Sequence, residues 1–145
     1  QRKFNDDAVS DEARFRKTLE QVLVFALEFR DSKFTGKYAD VILKAKHFIE
    51  ENYADQNTTL TTVAEVVALS PNHFSTIFSQ ECKTTFIEYL TNVRLENAKR
   101  LMRETDMKGY DIAYECGFSD PHYFSYIFKK NTGLSPREYK LSLEN

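Results

Sequence analysis

The sequence of 145 residues is poor in the features that mark most other protein classes. It has only 4 glycines and 3 prolines, too few for a disordered, collagen-like or turn-rich all-β chain. Its two cysteines, Cys82 and Cys116, make no disulfide framework and suit a reducing cytoplasm. Its longest apolar run, residues 22–27, is far shorter than the roughly 18 residues that cross a bilayer. We therefore expect an all-α cytoplasmic protein without membrane contact.

A surplus of positive charge is also missing. The formal net charge is −2 at pH 7, with 8 basic and 7 acidic side chains in residues 1–37 and 12 basic and 15 acidic ones in residues 38–145. Domains that bind nucleic acid usually carry a broad basic field. If this chain binds DNA, it therefore does so through a local cationic patch.

Side chains suited to catalysis or metal binding are few. Apart from the carboxylates they are His47, His73, His122, Cys82 and Cys116. None of them has Cys-x-x-Cys or His-Glu-x-x-His spacing, and the sequence has no glycine-rich phosphate loop. The sequence therefore predicts no enzymatic activity, no cofactor and no metal site.

What the chain does contain is an internal repeat. Residues 63–70 are similar to 112–119 at an offset of 49, and residues 74–78 are similar to 124–128 at an offset of 50. Each copy has the pattern of a short helix, a tight turn and a second helix, which is typical of a helix-turn-helix unit.

Signals for helix starts support this interpretation. Each of the three prolines follows a residue suited to N-capping, at Ser70-Pro71, Asp120-Pro121 and Ser135-Pro136. Three sets of residues fit a capping box, namely Thr62…Glu65, Thr85…Glu88 and Ser135…Glu138.

The pattern as a whole predicts two helix-turn-helix units, over residues about 38–83 and about 105–145. A linking helix over about 84–104 joins them, and the recognition helices cover about 71–82 and 121–131. A helix of about 19 residues spans about 28 Å, close to the distance of about 34 Å between successive major-groove faces of B-DNA. Two units held at this separation would enter adjacent major grooves.

The two recognition helices divide into an apolar face and a polar face. The apolar residues are Phe74, Ile77 and Phe78 in the first copy and Phe124, Ile127 and Phe128 in the second. The opposite faces carry short polar and basic side chains of the kind that read base edges; a merely solvated helix surface is the alternative. Basic residues of the linker outnumber its acidic ones and, together with Lys129 and Lys130, would supply the local patch; those of the linker are Arg94, Lys99, Arg100, Arg103 and Lys108.

The residues from about 38 to 145 resemble the C-terminal DNA-binding domain of AraC-type transcription regulators. In the second unit the resemblance is carried by Ile112, Ala113, Gly117, Phe118, Asp120, Tyr123, Phe124, Phe128, Lys129, Lys130, Gly133, Pro136 and Tyr139. Towards and through the linking helix it is carried by Phe86, Glu88, Tyr89, Leu90, Arg94, Leu95, Ala98 and Leu101. The resemblance is strongest to the YesN-like branch. It implies seven helices in two subdomains, with double-stranded DNA and RNA polymerase as partners.

The resemblance also implies roles for individual residues. Its base-reading positions fall on Asn72, Ser75, Thr76, Pro121, His122, Ser125 and Tyr126. Phosphate contacts are assigned to His73, Ser79, Lys99, Lys129 and Lys130. Arg94 is expected to be structural. Lys83 stands where the family usually has glycine, so a differently shaped helix end is expected there. No arginine or lysine occupies a base-reading position, which leaves a module for protein–protein interaction as the alternative function.

The N-terminal residues 1–37 are expected to be a stem from a longer chain whose sensor or receiver region precedes it. Apolar residues recur in the stretch 11–30 at nearly heptad spacing, at Phe15, Leu19, Val22, Ala26 and Phe29. Two interpretations stay open. The stem either packs on its own domain as a linker helix, or pairs with a second chain to make a homodimer and passes on the state of the sensor.

Overall fold

The computed structural model describes Leu19 and residues 36–144. The chain divides into two compact segments, Gln1–Ala39 and Asp40–Asn145. Both predicted helix-turn-helix units lie in the second segment. The apolar stripe of the stem lies outside the described residues except for Leu19, which exposes 58% of its surface. Among the described residues, no helix is both long and apolar enough to span a membrane.

The described part of the chain is all-helical, with seven helices and no strand, which confirms the predicted fold class. The helices are α1 over residues 36–52, α2 Leu60–Val66, α3 Pro71–Cys82, α4 Phe86–Glu104, α5 Gly109–Glu115, α6 Pro121–Thr132 and α7 Pro136–Leu143. Helices α2 and α3 form the first helix-turn-helix unit and α5 and α6 the second. Helix α4 links them and packs against α3, α5 and α7.

Most helix starts follow the predicted caps. Proline is the first residue of α3, α6 and α7. The predicted capping boxes of α4 and α7 are both present, with Thr85 and Glu88 in one and Ser135 and Glu138 in the other. Because the cap side chain and the third helical residue each bind a free backbone amide, these helices begin at defined residues.

The predicted capping box of Thr62 and Glu65 is wrong. Helix α2 begins one turn earlier, because Thr59 is its N-cap and accepts a hydrogen bond from the Thr62 amide at 3.2 Å. The Thr62 hydroxyl lies inside the first turn and donates to the carbonyl of Asn57 at 2.8 Å. Since Thr62 is already the third residue of α2 and its amide serves the Thr59 cap, it cannot also be an N-cap, whose backbone lies outside the helix.

The repeat is present in the structure with the offsets seen in the sequence. Leu69 N–H donates to Ala64 at 3.0 Å, and Phe118 N–H donates to Ala113 at 2.9 Å, so both turns close in the same way at an offset of 49. The rings that fill the two units match at an offset of 50. The ring centroids of Phe78 and Tyr89 are 5.4 Å apart and those of Phe128 and Tyr139 are 5.3 Å apart.

Each unit has its own apolar core, and α4 contributes to both. In the second unit the core consists of Leu95, Ala98, Met102, Ile112, Ala113, Cys116, Phe118, Phe124 and Phe128. Cys116 is fully buried there, and burial raises the pKa of its thiol to about 11. A neutral, buried thiol packs as a small apolar side chain and is not a nucleophile.

Candidate nucleic-acid interface

Helix α3 presents a polar face to solvent. Its N-cap Ser70 and first residue Pro71 fix where the helix begins, and Phe74 and Phe78 are fully buried on its inner side. Asn72 and Thr76 lie roughly opposite those rings, given 100° per residue, and both are exposed. The Thr76 hydroxyl donates to the backbone carbonyl of Asn72 at 3.0 Å, so this bond does not engage the side-chain amide of Asn72.

Helix α6 repeats this arrangement with larger side chains. Asp120 caps it by accepting from the His122 backbone amide at 2.9 Å, and Phe124 and Phe128 are buried beneath. His122 and Tyr126 occupy the positions equivalent to Asn72 and Thr76. Both are exposed, and Tyr126 keeps 63% of its surface accessible. The centre of this second face is therefore aromatic where that of the first is a small hydroxyl.

The remaining predicted base-reading residues lie to the side of these two stripes. Ser75 and Ser125 are displaced about 100° around their helices from Thr76 and Tyr126; Ser75 is half-buried and Ser125 is exposed. Pro121 is half-buried at the first position of α6. The structure thus brings four of the seven positions onto the outermost line of the recognition helices: Asn72, Thr76, His122 and Tyr126.

The residues predicted to contact phosphate differ in how exposed they are. His73, Lys129 and Lys130 are exposed on the outer side of their helices, and Ser79 is half-buried. Lys99 lies instead in the middle of α4, where its ammonium group donates to the Glu96 carboxylate at 2.6 Å.

The linking helix uses its other cations within the protein as well. Arg100 pairs with Glu104 at 3.2 Å, and Arg103 donates to the Tyr139 hydroxyl at 3.4 Å. The basic patch expected along the linking helix is therefore partly neutralised: Lys99 and Arg100 are ion-paired, whereas Arg94, Arg103 and Lys108 form no ion pair in the described residues. In the described residues, cations without an ion pair include Lys83 at the end of α3 and Lys129 and Lys130 on α6. Lys108 and Arg137 are also without an ion pair and line a pocket beside His122.

A junction holds the two units in one orientation. We define it as the carbonyls of residues 53–55, the side chain of Arg94 on α4, and Gly117 in the second turn. Arg94 Nε donates to the Tyr53 carbonyl at 2.8 Å, and its Nη2 donates to the Asp55 carbonyl at 3.1 Å. A Cβ on Gly117 would lie 2.5 Å from the Tyr53 oxygen. The second turn thus packs directly on backbone that precedes the first unit.

The sequence predicted a structural role for Arg94, but the junction with Gly117 was not predicted from it. The first unit has Ala68 at the equivalent place with φ +57°, against φ +86° for Gly117. The turn alone therefore accepts a Cβ, and glycine is needed here for the close approach. Only a departure from the repeat, alanine in one copy and glycine in the other, signalled this.

The helix end at Lys83 also corrects an expectation. The lysine adopts the left-handed conformation, with φ 56° and ψ 22°, just as Gly133 does at the end of α6 with φ 80° and ψ −10°. Both recognition helices therefore end in the same way. A side chain in this conformation costs roughly 1 kcal/mol relative to glycine.

The histidines and cysteines do not gather into a metal site in the described residues, where no three of the His, Cys, Asp and Glu side chains lie close enough to hold an ion. His47 lies on α1 beside Glu51 at 3.3 Å, and His73 and His122 lie on different recognition helices.

Comparisons with known proteins agree on the family. A family model described as a helix-turn-helix domain matches residues 63–142, more than half of the chain. The HTH-type transcriptional regulator YijO of Escherichia coli is 41% identical over 95 residues, which make up 66% of this chain and 33% of that protein. The arabinose operon regulatory protein of Escherichia coli is 32% identical over 126 residues, or 87% of this chain and 43% of that protein.

A solved structure extends the likeness to three dimensions. The C-terminal domain of the two-component response regulator yesN from Fusobacterium nucleatum is 36% identical, with a TM-score of 0.64 over 66% of this chain and 93% of that one. The chain spans about a third of the length of YijO and less than half of that of the arabinose regulator. The likeness covers both units and the helix between them, and the chain therefore belongs to the AraC-type helix-turn-helix family of DNA-binding transcription regulators.

Proposed function

We propose that this chain binds duplex DNA sequence-specifically and regulates transcription in the cytoplasm. The observation that carries the proposal is the matched pair of exposed faces on α3 and α6, which belong to two units joined by the 19-residue helix α4. At 1.5 Å per residue α4 is about 28 Å long, comparable to the distance of about 34 Å between successive major grooves on one side of a duplex. The two recognition helices are therefore proposed to enter successive grooves. The family is one of DNA-binding regulators and not of enzymes, as the sequence predicts.

The base contacts are assigned to the outermost line of each recognition helix. Asn72 offers an amide that can bind adenine bidentately. His122 offers a ring donor or acceptor, and Tyr126 offers a hydroxyl on a ring able to meet a thymine methyl group. Because neither face carries a guanine-reading arginine, DNA shape and bridging water contribute to the choice of site. The predicted sites Ser75, Pro121 and Ser125 flank this line.

Substitution of the reading residues tests the proposed function. Asn72→Ala and His122→Ala should each reduce the preference for a selected duplex over a scrambled one by about 5- to 150-fold, since a good base contact is worth about 1–3 kcal/mol. Both side chains are exposed, so the thermal unfolding of the two variants should match that of the wild type. The measurement is fluorescence anisotropy with a duplex enriched from a random pool by the wild type.

His47→Ala is the matched control, because this exposed histidine lies on α1, away from both recognition helices. It should keep full discrimination. If both recognition-helix variants also keep it, the faces assigned here do not read DNA, and a surface for protein–protein interaction becomes the better interpretation.

We further propose that the stem over residues 11–30 pairs two chains, and that RNA polymerase is contacted once the pair is on DNA. The apolar stripe in the sequence supports pairing, because an uncovered stripe would be an exposed apolar patch. Leu19→Glu with Val22→Glu should lower the mass of the protein in solution from dimer to monomer and weaken DNA binding, since pairing raises the effective concentration of the second domain. A wild type that is monomeric at high micromolar concentration, with a variant that binds DNA equally well, would contradict pairing.

A further inference from the structure

A polar cleft of about 580 Å³ lies between the end of the first unit and the recognition helix of the second. Helix α4 forms its floor near its first turns. Its walls carry hydrogen-bonding and cationic side chains from both units, chiefly Lys83, Thr84, Asn92, Tyr123, Lys130 and Asn131. Neither the base-reading faces nor the junction accounts for this cleft.

The cleft has an unmatched positive charge. Lys83 stands at the end of α3 and Lys130 on α6; both are exposed, and neither forms an ion pair in the described part of the chain. One carboxylate, Glu88, also lines the cleft. Two cations against one carboxylate leave the lining at +1.

One oxygen of the Glu88 carboxylate is already engaged with the start of α4. Its Oε2 accepts from the Thr85 amide at 2.9 Å, from the Thr85 hydroxyl at 2.9 Å and from the Thr84 hydroxyl at 3.1 Å. These hydrogen bonds lower the pKa of Glu88 and hold the group against the start of α4. The lysines are thus the charged groups free to meet a ligand, and the ligand that suits them is an anion.

We propose that this cleft holds the sugar-phosphate backbone of the DNA between the two major grooves, with Lys83 and Lys130 contacting phosphates from opposite sides. The inference rests on the proposed function: a duplex that receives α3 in one groove and α6 in the next must pass its intervening backbone across whatever lies between them. Asn92 adds an exposed amide donor at the floor, and the ring of Tyr123 supplies an apolar wall for the sugar.

The conformation of Lys83 is a second, independent observation. The position is left-handed, so glycine would be less strained, and nothing in the fold requires a lysine there because its side chain is exposed and unpaired in the described residues. Backbone strain at a residue with no structural duty is a reason to assign it a function. A cation placed on the DNA backbone is that function.

The test uses the intact chain and four variants, Lys83→Gly, Lys83→Arg, Lys130→Ala and Asn92→Asp. The probe is a duplex enriched by the wild type from a random 30-base-pair pool. The affinity for this duplex is measured at several salt concentrations. The phosphates that the protein contacts are identified by ethylation interference. Each lost phosphate contact should lower the log–log salt slope by about 0.9, so Lys83→Gly combined with Lys130→Ala should lower it by about 1.8.

Lys83→Gly separates charge from strain. It should raise the Tm, because the left-handed residue becomes a glycine, and yet weaken DNA binding to a similar degree on selected and scrambled duplexes. Lys83→Arg should keep the slope, and Asn92→Asp should weaken binding by repelling phosphate. Interference at phosphates midway between the two half-sites should disappear in the double variant.

Two results would overturn the inference: a wild-type salt slope in the double variant, or a loss of affinity confined to particular base pairs, which would mean base reading. If the wild type enriches no motif at all, the proposed function fails first. If the wild type enriches a motif but the variants keep the interference at the central phosphates, the proposed role of the cleft is wrong and the proposed function stands.

Discussion

Gly117→Ala is expected to destabilise the domain by about 3 kcal/mol, the sum of overpacking at about 1–3 kcal/mol and a left-handed side chain at about 1–2 kcal/mol. The new Cβ would lie 2.5 Å from the Tyr53 oxygen and 3.0 Å from both the Ala54 oxygen and Arg94 Nε. Two of these three atoms are backbone and cannot rotate away. The turn must therefore move, and the hydrogen bond of Arg94 to the Tyr53 carbonyl moves with it.

Gly133→Ala is the matched control for this prediction. Gly133 has a nearly identical φ of +80°, and no atom lies within 4 Å of where its Cβ would be. Gly133→Ala should lower the stability by only roughly 1 kcal/mol, the cost of a side chain in the left-handed conformation. Urea unfolding of both variants separates strain from collision. If both variants lose the same free energy of unfolding, the junction accommodates the extra Cβ at Gly117 without an energetic penalty.

Gly117→Ala should also weaken DNA binding, although Gly117 is buried and lies outside both recognition faces. Two recognition helices bind one duplex well only if their separation and relative orientation suit it. A shift of the second turn against residues 53–54 changes that orientation. Half-site duplexes should therefore bind almost normally, whereas a duplex with both half-sites should lose most of its advantage.

Much of the fold could be predicted from the sequence because its signals are local. Ser70, Asp120 and Ser135 each precede a proline, and the caps that form use atoms within three residues of each other. The apolar stripes of α3 and α6 repeat every three or four residues, so they define a buried face without any knowledge of the rest of the chain. Because the two units repeat the same pattern, the fold predicted for one also applies to the other.

What the sequence did not predict depends on contacts between distant residues. Gly117 meets the carbonyl of a residue 64 positions earlier, and Arg94 reaches 41 positions back. The cations of α4 looked like a DNA-binding patch because their partners, such as Glu104 for Arg100, are identified only when side-chain directions are known. The start of α2 was misplaced because Thr59 and Thr62 both suit a cap, and the tertiary position of the preceding loop decides between them.

Arg94→Met should destabilise the domain by about 1–3 kcal/mol, since it leaves the half-buried carbonyl of Tyr53 without its charged donor, and an unpaired buried acceptor costs about this much. The Asp55 carbonyl keeps a hydrogen bond from the Thr58 amide at 3.1 Å. The half-buried guanidinium also lies over the ring of Phe118, 5.8 Å from its centroid, and methionine retains only part of that packing. The stability of Arg94→Lys should lie between those of the wild type and Arg94→Met, because an ammonium group cannot reproduce the two-pronged geometry of a guanidinium. Arg103→Met is the control, since this exposed arginine on the same helix makes only a 3.4 Å contact with the Tyr139 hydroxyl.

The effect of Arg94→Met on DNA binding distinguishes a positioning residue from a phosphate contact. Arg94 donates to carbonyl oxygens at 2.8 and 3.1 Å, so two of its five N–H groups already hold it against the protein. Affinity for a duplex with both half-sites should therefore fall while the log–log salt slope stays at the wild-type value. A slope lowered by about 0.9 would instead mean that a phosphate contact had been removed. In that case the junction would depend on the close fit at Gly117 alone, and the charge on the linking helix would belong to the DNA interface after all.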